Sequence, residues 1–395
     1  MTASSAPSTT GAPSVGLTGE APFAGLTGVA WEILDLARWA PSGDNTQPWR
    51  FEVLSDEHVV VHAFDTRHHC VYDVDGRASQ VSVGALLETL RIAATVHGRR
   101  AEILRRRDAP DEHPIFDVRL TSAPGLQADP LHRVVRQRSV QRRPLSTQPL
   151  DAAAKAALSA AVGPGHSVVW FEGLRQRWRM ARLAVHSAKI RLTIPEAYAV
   201  HREVIAWDTQ FSDDRIPDRA LGASALSLRS MRWAMSSWER VRWMNRFAAG
   251  TWTPRLELDL LPGLRCGAHF AIAADRPPAS IDDYLAGGAA TQRFWLTATA
   301  LGLQLQPQYT PLVFAACDRL GVAFTCDPAG RARAHAVAAM LDDLLGPTAA
   351  RSAVFLGRVG YGPVPESRSL RLSLRDLTWS GTRSQRPDVV AGQHS

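Results

Sequence analysis

Arginine dominates the chemistry available to this chain. Among 45 basic residues only Lys155 and Lys189 are lysines, which leaves 43 arginines; against 38 acidic residues the net charge is +7. A guanidinium grips phosphate or carboxylate in a bidentate fork, so this composition accommodates an anionic ligand. The arginines are scattered and no recognisable nucleic-acid module accompanies them, so no nucleic-acid partner is expected. One basic segment runs from Leu131 to Pro144. A second polar run is Pro41-Ser-Gly-Asp-Asn-Thr-Gln-Pro-Trp49. Taken alone, it is a helix-terminating turn whose Asn45 and Gln47 satisfy buried backbone, with Trp49 in the core. His68-His69-Cys70, with Asp65, offers metal-binding side chains. Adjacent histidines point apart, however, and no second ligand pair has suitable spacing, so no metal is expected. Cys70, Cys266, Cys317 and Cys326 form no C-x-x-C pair. A disulfide framework is not expected, Cys266 and Cys317 read as buried small apolar residues, and a reducing cytoplasm is the expected location.

These side chains must be carried by a sizeable scaffold. At about 150 residues per domain, the chain corresponds to two or three domains or one large duplicated unit. It is 45% hydrophobic and 21% charged, ordinary for a globular protein. No apolar stretch approaches the roughly 18 residues of a membrane span, so no membrane is expected. Residues 1–27, rich in Ser, Thr, Ala, Pro and Gly, read as a disordered leader, and 379–395 as a polar tail. Helical periodicity is expected over 28–40, stopped by Pro41 and Gly43, and again over 78–97, ending at Gly98. Strands are expected at 50–54, 58–64, 115–120, 167–172, 268–274 and 353–359. A helix is expected over 151–161, another over 175–207, and a third from Asp282 or Asp283 to about Leu301.

Two of these helices resemble each other. Gly84-Ala85, Ala94-Thr95 and Gly98 match Gly288-Ala289, Ala298-Thr299 and Gly302 at a constant offset of 204 residues. Such a match fits an internal duplication, and equally a coincidence of common residues.

The run Pro41 to Trp49, between an amphipathic helix and a strand, resembles the signature loop of the FMN-dependent nitroreductase superfamily, with Pro41, Ser42, Asn45, Gln47, Pro48 and Trp49 matching. Arg136-Gln137-Arg138-Ser139 through Arg142-Arg143-Pro144 resembles the segment with which that family binds the flavin phosphate. It departs at Gln137 and Gln141. Ala300-Leu301-Gly302-Leu303, followed by Gln306 to Thr310, is similar to the family's central helix and the loop beneath the flavin N5 edge. Gly357 to Gly362, then Arg368 and Arg371, is similar to its glycine-rich strand end and basic pair, with a three-residue spacing that leaves open which arginine meets the phosphate. The first half lacks a basic segment. The second has lost the Asn and Gln where its own loop should fall, at Gly163 to Trp170. This arrangement resembles the single-chain, tandem-domain branch that includes actinobacterial dormancy-associated lidded flavoproteins, and nitroreductase modules associated with ThiF-like domains.

The resemblance implies an α+β fold: a nitroreductase-like unit duplicated in one chain, with antiparallel-rich sheets flanked by helices, forming a monomeric pseudo-dimer. Its halves would be 28–125, degenerate, and 131–378, with a lid-like insertion at about 210–260. It implies one FMN between them. Arg136, Arg138, Ser139 and Arg368 or Arg371 would hold the phosphate, and Arg142 or Asn45 would stabilise the reduced ring. Backbone N–H groups of Gln308, Tyr309 and Thr310 would orient the ring; Pro41, Ser42, Gly43 and Gln47 would lie against it. The flavin carries the chemistry, with no protein nucleophile. The implied activity is ping-pong hydride transfer from NADH or NADPH to a small nitroaromatic or quinone-like acceptor, or flavin-dependent oxidation of a biosynthetic intermediate. The alternatives are an FMN storage protein with little turnover and an inactive interaction module. Tryptophans 233, 238, 243 and 252 would either shape an aromatic acceptor pocket under the lid or pack as core.

Overall fold

The computed structural model describes residues 27–247 and 254–381. Nearly all of the leader, the tail from 382 onward and Trp252 lie outside the described residues. The chain has a mixed α+β architecture with two four-stranded antiparallel sheets. Among the described residues no helix is long and apolar enough to cross a membrane.

Helix α1 (Val29–Ala37) buries Ile33 and Leu34 and stops before Pro41. Alternation then produces β1 (Trp49–Ser55) and β2 (His58–Ala63), with Trp49, Phe51, Val59 and Val61 facing the core. Helix α2 (Arg77–Val96) follows Gly76, and its continuation fails at Gly98, where φ is +60°. Strands β3 (Arg99–Arg105) and β4 (Ile115–Ser122) complete the first sheet, in the order β1-β2-β4-β3.

The second sheet is built the same way. Helix α3 (Ala152–Ala161) is capped by the Asp151 carboxylate, which accepts from the Ala154 N–H at 2.6 Å. Strand β5 (His166–Phe171) leads to helices α4 (Gly173–Arg191) and α5 (Pro195–Val204). The single helix expected over 175–207 is broken here because Pro195 has no N–H to donate and drives Ile194 to extended geometry (φ −104°, ψ 141°). Three two-residue strands, β6 (Ile205–Ala206), β7 (Phe211–Ser212) and β8 (Ile216–Pro217), precede a helical hairpin, α6 (Ala225–Met235) and α7 (Trp238–Phe247). A π-helical turn, Arg255–Leu260, runs into the short α8 (Leu261–Leu264). Then come β9 (Ala268–Ala274), α9 (Ile281–Ala300), β10 (Gln304–Pro307), α10 (Thr310–Leu320), α11 (Pro328–Leu345), α12 (Pro347–Ser352), β11 (Ala353–Gly360) and β12 (Arg368–Ser369). Helix α9 is capped by Ser280 rather than Asp282 or Asp283: Ser280 and Asp283 form a reciprocal capping box, with Asp283 in the N3 position. The second sheet is ordered β5-β9-β11-β10. Across the sheet its strands correspond one for one to β1, β2, β4 and β3, and along the chain α9 lies between its second and third strands, where α2 stands in the first sheet.

The two sheets meet through α2 and α9. A Cβ on Gly84 would lie 2.1 Å from the Leu285 carbonyl oxygen, and one on Gly288 would lie 2.1 Å from the Val81 carbonyl oxygen. These contacts are reciprocal at the 204-residue offset of the sequence repeat. One turn further, Arg293 donates to Glu88 and Gln292 donates to Thr89, each at 2.8 Å, again a reciprocal pair. The geometry is that of a contact around a twofold axis. The chain end returns to the first sheet: the Leu377 carbonyl accepts from Phe51 N–H, the Trp379 N–H donates to the Phe51 carbonyl, both at 2.7 Å, and Leu374 and Leu377 join its core.

Gly84→Ala and Gly288→Ala should each destabilise the protein by about 3 kcal/mol, because backbone rather than a mobile side chain fills the space. Gly43→Ala, whose methyl would meet nothing within 4 Å, should change stability by no more than about 0.5 kcal/mol. Urea unfolding of the three variants checks this; equal effects would contradict it.

Candidate functional site

The loop before β1 is held in an unusual backbone shape. Asp44, Asn45 and Gln47 have φ of +49°, +63° and +48°, left-handed values that non-glycine residues seldom adopt. Side chains fix it. Ser42 Oγ accepts from the Gln47 N–H at 3.0 Å. Gln47, fully buried, donates to the Asp213 carbonyl at 2.8 Å and accepts from Leu372 N–H at 2.9 Å. Asn45 donates to the same Asp213 carbonyl at 3.0 Å, and its Oδ1 accepts from Arg371 at 2.9 Å. Asn45 and Gln47 therefore satisfy buried backbone, Trp49 is core, and the loop binds the chain end to the 213–215 turn. Pro41 and Ser42 are half-buried, Gly43 is exposed, and the Asp44 carboxyl faces a cavity.

Behind this loop, three arginines converge. Arg138, 4% exposed, donates to the Trp39 carbonyl at 3.1 Å and lies 4.5 Å from the centre of the Trp295 ring. Arg371 donates to the Ala40 carbonyl at 2.9 Å as well as to Asn45. Arg368 lies over Trp39, 5.3 Å from the ring centre. Burial lowers the basicity of all three. Arg371, also repelled by Arg368 and Arg38, is pushed down to about 9; Arg138 is driven well below its ordinary value by burial and by Arg371 and Arg368. Among the described residues no carboxylate pairs with any of the three. Asp35 is engaged by Arg38 at 2.9 Å and by Arg136. Three buried donors in this group lack an acceptor: Arg138 Nε, Arg368 Nε and Trp39 Nε1. Ser139 is half-buried next to Arg138.

A cavity of about 340 Å³ lies alongside. Asp44 lines it together with Arg142 and the Gln306 to Thr310 stretch, and the inner faces of α6 and α7 cover it with Met231, Met235 and Met244. Arg142 donates to the Ala220 carbonyl at 3.0 Å; burial lowers it to about 10 against the pull of Asp44. Burial raises the Asp44 carboxyl, opposed by Arg142 and Arg191. Arg191 is paired with Asp259 at 2.9 Å. Burial and Arg191 push His201 down to about 3, and the neutral ring shares a hydrogen bond of 2.9 Å between its Nε2 and the Tyr72 hydroxyl. Burial holds His269, also neutral, down to about 4; its Nε2–H donates to the Gly263 carbonyl at 2.7 Å. Its Nδ1 is then an acceptor, so the Gln308 amide, 2.8 Å away, turns its nitrogen toward the ring. Tyr309 separates this cavity from a smaller one of about 170 Å³, and Thr310 accepts from Ser187 at 3.0 Å.

The candidate residues thus fall into two adjoining groups, joined at Asp44-Asn45. Arg138, Arg368 and Arg371 form the first. Arg142, Gln308, Tyr309 and Thr310 border the second. Arg136 stands apart, half-exposed on Asp35. Trp233, Trp238 and Trp243 do not line the cavity: Trp233 and Trp243 point outward and Trp238 packs on Tyr198. Sequence reasoning missed Arg191, His201 and Asp259, which come from segments without a motif. It also missed the role of Arg358, fully buried, whose Nη2 donates to the carbonyls of Gln141, Arg142 and Arg143 at 3.2, 2.8 and 2.8 Å and so fixes the basic segment against β10.

No family model matches the chain. Over 341 residues, 84% of this chain, it is 25% identical to the uncharacterized protein MT1398 of Mycobacterium tuberculosis (strain CDC 1551 / Oshkosh), covering 46% of that protein. Over 73 residues, 18% of this chain, it is 47% identical to the uncharacterized proteins MT3212 of the same strain and Rv3127 of strain ATCC 25618 / H37Rv, covering 21% of each. The chain therefore spans less than half the length of these relatives.

Because His269 and His201 are held neutral in the folded state and accept protons when unfolded, the unfolded chain binds more protons at acid pH. Their contribution to stability is complete above about pH 6.5 and is lost as the pH falls, toward about 4 for His269 and about 3 for His201, at about 1.4 kcal/mol per pH unit for each. His269→Gln should make the fall of urea stability between these pH values shallower than in the parent; parallel curves would contradict this account.

Proposed function

We propose that the chain is an FMN-dependent oxidoreductase of the nitroreductase type, with one flavin at the seam between two halves that arose by duplication. The observation that carries the proposal is the group formed by the buried Arg138 and Arg371 and the half-buried Arg368. It holds three cations without a carboxylate and leaves the Nε atoms of Arg138 and Arg368 and the Nε1 of Trp39 without an acceptor. A buried donor left unpaired costs on the order of 1–3 kcal/mol, so such a cluster fits a dianionic phosphate. Arg138, Arg368 and Arg371 would hold that phosphate, with Ser139 beside them. The Pro41 to Gln47 loop and the Gln308 to Thr310 backbone would flank the ring, and Arg142 would offer a cation at the cavity wall. FMN, once bound, supplies the hydride chemistry between NADH or NADPH and a small acceptor. The duplication is supported by the shared strand order, the 204-residue repeat and the reciprocal contacts of α2 with α9. The cytoplasm and a monomeric pseudo-dimer remain part of this proposal.

One observation favours a second reading. Helices α6 and α7 close over the cavity, which fits a protein that stores FMN and turns over slowly. Anaerobic mixing of the FMN-loaded protein with NADH separates the two: bleaching within seconds marks an enzyme, persistent yellow colour a store.

FMN should bind on the order of a hundredfold more tightly than riboflavin, the phosphate accounting for the difference. Arg138→Ala and Arg371→Gln should remove most of that preference without lowering the thermal midpoint by more than a few degrees. Fluorescence titrations with both flavins check this. Equal affinity for the two, or variants that keep the preference, would remove the arginines from the site.

A further inference from the structure

The helical hairpin that covers the cavity has a second face. Ser227, Met231, Ala234 and Met235 of α6, with Val241, Met244 and Asn245 of α7, turn inward to the cavity. On the opposite side Leu226, Trp233, Trp243 and Phe247 are 77%, 48%, 54% and 67% exposed. They are not scattered singly. The Trp233 and Trp243 rings meet edge to face at 6.5 Å, and Trp243 and Phe247 lie 6.1 Å apart. Arg240 lies over Trp233 and Arg246 over Phe247, at 5.0 and 5.4 Å from the ring centres. A clustered, exposed aromatic patch of this kind marks an interaction surface.

The charge around the patch is one-sided. Arg229, Arg232, Arg240, Arg242 and Arg246 belong to α6 and α7, and Glu239 is their only acid. Arg232 is partly neutralised by Asp208 from the preceding turn; the other four arginines have no acidic partner among the described residues. Trp, Phe and Leu set among arginines on the solvent face of a helix pair is the pattern of an element that lies in a bilayer interface. There the rings enter the headgroup level and the guanidiniums meet lipid phosphates. Helices of 11 and 10 residues are far too short to span a bilayer and long enough to lie on one. A uniformly anionic surface complements this one-signed patch over its whole extent. Nucleic acid is a poorer fit, since the rings stack on each other and on their own arginines rather than standing free for bases.

We infer that the outer face of α6 and α7 docks this protein on an anionic phospholipid surface. The exclusion of a membrane drawn from the sequence concerned spanning, and this contact needs no span. The test is co-sedimentation of the full chain with phosphatidylcholine vesicles, with and without phosphatidylglycerol, at low and high salt. Binding is expected only with the anionic lipid and should weaken steeply with salt. The triple variant Arg229→Gln, Arg240→Gln, Arg246→Gln should bind on the order of a hundredfold more weakly. Trp233→Ser with Trp243→Ser should also lose binding, while circular dichroism and thermal unfolding confirm that both variants remain folded. Absence of binding by the folded parent would overturn the inference. So would concentration-dependent self-association abolished by the tryptophan variant, which would assign the patch to a second copy, or binding to single-stranded RNA but not to vesicles.

Discussion

The backbones of α2 and α9 touch at Gly84 and Gly288, and the layout of the seam follows from that approach. Neither position has room for a methyl group, because a carbonyl oxygen of the opposite helix occupies it. With the helices locked at this distance, Glu88 reaches Arg293 and Thr89 reaches Gln292. Each helix also carries a sheet on its flank. The loop ahead of β1 is thereby set opposite the stretch that follows α9, and Asp44 and Gln308 come to line one cavity although they lie far apart in sequence.

What stands next to that cavity is electrostatically unbalanced. Arg138, Arg368 and Arg371 are sequestered with carbonyls and indole faces for company and no carboxylate among the described residues. Burial depresses the basicity of all three, and repulsion adds to it at Arg138 and Arg371, so the folded chain holds them at a cost. Other folds relieve such strain with an acid. Here Asp35 of α1 is already engaged by Arg38 and Arg136. A dianion would relieve it equally well, and this is why the proposed phosphate belongs there rather than on the exposed Arg136.

Much of the scaffold was legible in the sequence. Alternation locates β1, with β2 as its hairpin partner, and periodicity with a terminal glycine locates α2 and α9. The break at Pro195 and the cap at Ser280 were missed because local residues outweighed periodicity: one proline and one serine decide those ends. Strand β10 is not legible in the sequence, since its four residues are too few to carry an alternation. The candidate site was legible where a dense motif existed. Asn45 and Gln47, however, turn out to bind backbone, and the residue between the two groups with its carboxyl on the cavity is Asp44. Arg191, His201 and Asp259 were invisible because tertiary packing alone brings them together. The tryptophans were misplaced for a related reason: the hairpin's periodicity permits either face to point inward, and methionines rather than indoles fill the cavity side.

The central claim is that two fused halves share a single anion-anchored flavin site. Its most direct test is the molar ratio of flavin to polypeptide, from absorbance after saturation with FMN and removal of the unbound excess by gel filtration. The account predicts one FMN per chain. A colourless protein would contradict the site, and a ratio of two would contradict the single seam.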